Sequence, residues 1–127
     1  MTDNTLPSGG DCFQVAGQLI VRCRDIHAQS TKGVTDKVLA HGVVTGQGPV
    51  SGIRFSHAWI EGVKNGISVV IDLSNGQRFV GPRALYYAIG QIEPKEVCRY
   101  SKEVARAKML QTEHYGPWEG EVARLGL

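Results

Sequence analysis

Several absences narrow the possibilities first. No window approaches the roughly 18 consecutive apolar residues that a membrane span needs, so no membrane partner is expected. The first ten residues are polar and hold no apolar signal core, which argues against a secretory leader. Cys12, Cys23 and Cys98 are odd in number and share no C-x-x-C spacing, which disfavours a disulfide framework or a zinc knuckle. Reduced thiols in a cytoplasmic setting are the resulting expectation. An excess of one charge is also missing. Lys and Arg number 14 and Asp and Glu 12, interleaved, for a net charge of +2. The nearest approach to a basic patch, Arg22, Arg24, Lys32 and Lys37, is interrupted by acidic residues, so no nucleic-acid partner is expected. Internal repeats, low-complexity tracts and linkers are lacking as well. What remains is 127 residues, 42% hydrophobic, the size of one domain.

Residues 1–10 read as a flexible lead-in, and 11–127 as the single domain. From Asp11 to about Ala28, apolar residues recur at gaps of three and four, which predicts a helix with Cys12 in its first turn. Asp11 suits the positive end of that helix. Gln29 to Asp36 reads as a loop. Strands are expected over Lys37–Val44, Arg54–Gly62, Ile67–Leu73 and Gln77–Val80, with Asn65-Gly66 as a tight hairpin turn. The third of these is nearly all apolar, which predicts cover on both faces. Pro82 opens a short helix to about Ile89. Val97–Tyr100 suggests a further strand, and Ser101 caps a helix to about His114. A helix, a meander of strands and then helices make an α+β layout, the first helix packed on an antiparallel sheet.

A thiol nucleophile needs a stabilised thiolate, a base and a group that orients the base. The free N–H groups and dipole at a helix start favour a thiolate, and Cys12 sits at such a start behind Gly9-Gly10. Its own backbone N–H is a natural oxyanion donor. His57 lies inside a strand, on the face of Phe55 and Trp59. A hairpin centred on Asn65-Gly66 pairs position 57 with 74. Asp72 then lies two residues from that partner and on the same face, roughly 7–8 Å away diagonally. The three residues each have a plainer reading: Cys12 as a buried thiol, His57 as a satisfied strand residue, Asp72 as the start of an Asx turn with Ser74 and Asn75. Their joint placement favours a Cys12–His57–Asp72 triad.

Gly10-x-Cys12-Phe13, His57-Ala58-Trp59-Ile60-Glu61 and Val70-Ile71-Asp72-Leu73-Ser74-Asn75 together resemble the transglutaminase-like cysteine superfamily. The order Cys, His, Asp is also that of the wider papain-like fold. The resemblance covers residues 10–76 and implies Cys12 as nucleophile, His57 as general base and acid, and Asp72 as its orienter. Leu73 stands where the family usually has Pro, and no Gln precedes Cys12 at positions 6 or 7. Gln14, Gln18, Trp59 and Asn75 are candidates for oxyanion or substrate contacts. Cys23 and Cys98 read as core. His27 and His41 have no partner signature and no metal site is expected. The aromatic end His114 to Trp118 reads as packing against the sheet. The resulting expectation is a cofactor-free hydrolase or acyltransferase that cleaves an amide of a protein or peptide through a thioester. The alternative is a non-catalytic binding or inhibitor protein on the same fold.

Overall fold

The computed structural model describes residues 11–22, 28–46, 48–76 and 78–121. The lead-in at 1–10, Cys23 and His27 lie outside the described residues, as does any side-chain statement for Asn75. The elements are α1 (Cys12–Val21), α2 (Ala28–Thr31), β1 (Thr35–Thr45), β2 (Arg54–Lys64), β3 (Ile67–Asp72), β4 (Phe79–Pro82), α3 (Arg83–Gly90), β5 (Cys98–Tyr100) and α4 (Lys102–Thr112). The strands form one antiparallel sheet of five, in the order β4-β3-β2-β1-β5. The expected α+β class is the observed one.

The hairpin register follows from two residues. Asn65 and Gly66 both take left-handed backbone, φ 53° and 78°, the pair of conformations that a two-residue turn of this twist requires. The ladder then runs from Lys64↔Ile67 to Ile60↔Ile71, the expected alignment. Val69 and Ile71 point into one apolar cluster and Val70 into another, so β3 is covered on both faces as its composition predicts. On the first face, Ala16, Leu19 and Ile20 of α1 pack on Leu39, Ala58 and Ile60, with Ala105 of α4 and Trp118. On the second, Ala40, Val44, Trp59, Val70, Ile92 and Val97 are buried with Tyr86 and Tyr87 of α3 against them.

Several boundaries differ from the sequence reading: β1 begins at Thr35, β2 runs on to Lys64, α4 ends at Thr112, and β4 spans Phe79–Pro82 where Gln77–Val80 was expected, Gln77 lying outside the described residues. α1 ends at Val21, where Arg22 turns to extended backbone, although the apolar spacing runs on to Ile26 with no stop signal. A short helix, α2, occupies part of the stretch expected as loop from Gln29. Pro82 ends β4 and caps α3 rather than opening it, because its ψ of 137° is extended. Ser101 caps α4 as expected, its hydroxyl accepting from the Val104 N–H at 3.1 Å. Among the described residues no helix is long and apolar enough to cross a membrane.

Candidate active site

Asp11 holds the N-cap position and Cys12 begins α1, whose first N–H groups have no partner within the helix. The helix packs along β2 and touches the turn Ser74–Gly76 that follows Asp72. The β2–β3 ladder stops at Ile60↔Ile71, so His57 and Asp72 meet through side chains beyond its end. His57 Nε2 donates to Asp72 Oδ2 at 2.8 Å, completing the diagonal pair that the hairpin arithmetic placed on one face. Asp72 is saturated with donors. Tyr86 donates its hydroxyl to Oδ2 at 2.5 Å, while Ser74 gives Oδ1 its hydroxyl at 2.7 Å and its N–H at 3.1 Å. The turn contacts to Ser74 and the hydrogen bond to His57, alternatives in the sequence, are therefore both made by the same carboxylate.

Burial opposes charge on the imidazole, but the Asp72 hydrogen bond, the Cys12 thiol and their charges outweigh it and raise His57 to about 10. Burial likewise works against the Asp72 carboxylate, and the donors from His57, Tyr86 and Ser74 overcome it, holding Asp72 down to about 2. The pair is thus an imidazolium on a carboxylate. With Nε2 engaged, Nδ1 remains on the other ring edge, buried and without a hydrogen-bond partner. Cys12 is the polar group acting on the ring from outside the Asp72 pair. Cys12 itself is fully buried, at 0% exposure. His57 and Asp72 border a cavity of about 240 Å³ with a mainly apolar wall that includes Val44, Phe55, Phe79 and Ile92.

The remaining predicted residues divide. Trp59 stacks on His57, with centroids 6.1 Å apart and planes at 29°, while its body fills the second core cluster. Gln14 is exposed on α1. Gln18 is turned away from His57: it donates to the Tyr115 hydroxyl at 3.3 Å and lines a separate cavity of about 590 Å³ between α1 and α4. Cys98 is buried beside Val43, in keeping with a core role. No protein-family model, curated protein or solved structure matches this chain.

Two groups on the His57 face of the sheet escaped the sequence reading. Tyr86 is one, since no local pattern couples it to Asp72. The other is the cluster around Glu61, whose signal was present: His57, Trp59 and Glu61 alternate along β2 and so share a face. On the opposite face His41 finds a partner that spacing did not reveal. Its Nδ1 lies 3.0 Å from the buried Glu121, 80 residues away, with Trp118 and Phe13 against the ring. Among the described residues no three His, Cys, Asp or Glu side chains are arranged to hold a metal ion.

Proposed function

We propose that this chain is a cysteine-dependent hydrolase or acyltransferase acting on amide bonds of peptides or proteins, with a transglutaminase-like or papain-like core. The observation that carries the reading is the His57 imidazole bound to Asp72 through Nε2, on the strand against which α1 packs with Cys12 at its start. Cys12 passes its proton to the His57 ring before attack, so that a thiolate stands beside the imidazolium, and the thiolate sulfur then attacks the carbonyl carbon. In this reading the N–H at the start of α1 serves as an oxyanion donor. The proton passes from His57 to the departing amine as the C–N bond breaks and a thioester forms. Water or a second amine then attacks the thioester, giving a proton to His57, and sulfur leaves as the Cys12 thiolate. A reduced, cytoplasmic setting suits a working thiol, and Cys12 and Cys98 are both present as thiols.

The complete burial of Cys12 favours a second reading, a non-catalytic binding protein on the same core. Iodoacetamide labelling at neutral pH, resolved by peptide mass, separates the two. The enzyme reading expects Cys12 to react faster than Cys98 and to slow by about tenfold or more in His57→Ala. Equal, slow labelling of all three thiols, Cys12, Cys23 and Cys98, in wild type would remove the enzyme reading.

A further inference from the structure

Glu61 is a buried carboxylate, 4% exposed, on the face of β2 that carries His57 and Trp59. Burial alone would push its proton on. Hydrogen bonds from Tyr87, Arg99 and Trp59 outweigh that effect and hold it below the usual carboxylate range. Oε2 accepts from Trp59 Nε1 at 2.9 Å and from the Tyr87 hydroxyl. Oε1 accepts from Arg99 Nε at 2.7 Å, with Arg83 Nη1 at 3.6 Å. As a link between β2, β5 and α3 this network would be ordinary scaffolding. The indole bond gives it a second consequence. Fixing Nε1 fixes the rotation of Trp59, and the indole lies against the His57 ring. The adjacent tyrosines of α3 serve both supports of His57, Tyr86 binding Asp72 and Tyr87 binding Glu61.

We propose that Glu61 is a positioning residue for His57, acting through the Trp59 indole. This rests on the reading of His57 as the base. The groups that face His57 are Asp72 from β3, Cys12 from α1 and, on the Asp72 carboxylate, Tyr86 from α3. None of them is altered in Glu61→Gln. That variant keeps the size but offers one acceptor oxygen in place of two, so either the Trp59 and Tyr87 donors or Arg99 must lose a partner.

The test follows the His57 ring proton by NMR across pH and the rate of Cys12 alkylation by iodoacetamide. Glu61→Gln is expected to lower the His57 midpoint by about one pH unit and to slow alkylation at neutral pH about tenfold. Trp59→Phe keeps an aromatic ring without the N–H and should give the same changes. The double variant should be no worse than Trp59→Phe, because both act through one bond. Val69→Ala, on the opposite face, should lower stability and move neither readout. If Glu61→Gln fails to fold, Tyr87→Phe should shift both readouts in the same direction by less. A folded Glu61→Gln with wild-type titration and alkylation overturns the proposal, as does additivity in the double variant or equal shifts in Val69→Ala. If wild-type Cys12 labels no faster than Cys98 while Glu61→Gln still moves His57, the enzyme reading falls and the positioning role stands.

Discussion

At the scale of single residues, Asp72 carries the most. Four donors converge on two oxygens, so the carboxylate both closes the turn at Ser74 and holds the imidazole by Nε2. Asp72→Asn has the same size but only one acceptor oxygen, and its NH2 group meets donors. The expected result is loss of Cys12 selectivity toward iodoacetamide, on the order of a hundredfold. Unfolding in urea should show a cost of about 1–3 kcal/mol from the unsatisfied buried donors. A labelling rate equal to wild type in a folded Asp72→Asn would show that the carboxylate does not orient His57.

At the scale of elements, the β1–β2 ladder sets how His57 and Trp59 lie. Gly42 is the ladder partner of His57, and a Cβ there would come within 2.7 Å of the Trp59 ring and 3.2 Å of Val97 Cγ2. Trp59 is fully buried and bonded at Nε1, so it has no free rotamer in which to retreat. Gly42→Ala should therefore cost about 1–3 kcal/mol, read as a lower urea midpoint. The slope of the transition should stay unchanged. It should also slow Cys12 labelling, because the displaced indole is the one that supports the imidazole. Wild-type stability in this variant would mean that β1 can shift away from β2 without cost.

At the scale of the whole molecule, the His57–Asp72 pair joins the middle of β2 to the end of β3 and makes stability depend on pH. A histidine raised from 6.5 to about 10 contributes stability that is full below pH 6.5 and lost as pH climbs through 10. An aspartate lowered from 3.8 to about 2 contributes stability present above pH 3.8 and lost as pH falls toward 2. These windows describe one interaction, strongest between about pH 4 and 6.5. His57→Gln should accordingly flatten the decline in urea stability from pH 7 to 10 relative to wild type. An equally steep decline in the variant would assign that limb to other groups.

The chain's local pattern alone determined the number of strands, the hairpin register and the cap of α4, because alternation, Asn65-Gly66 and Ser101 act over a few residues. The hairpin register reaches one step further, from the turn to the meeting of His57 and Asp72. The end of α1 was not legible, since periodic apolar residues continue past Val21. Tertiary structure alone decided which distant groups share a face of the sheet. Tyr86 meets Asp72 and Arg99 meets Glu61 only because α3 and β5 dock beside β3 and β1, and Glu121 meets His41 across 80 residues. Such pairs leave no spacing to read, because side chains separated by whole elements are brought together by the burial of both sheet faces.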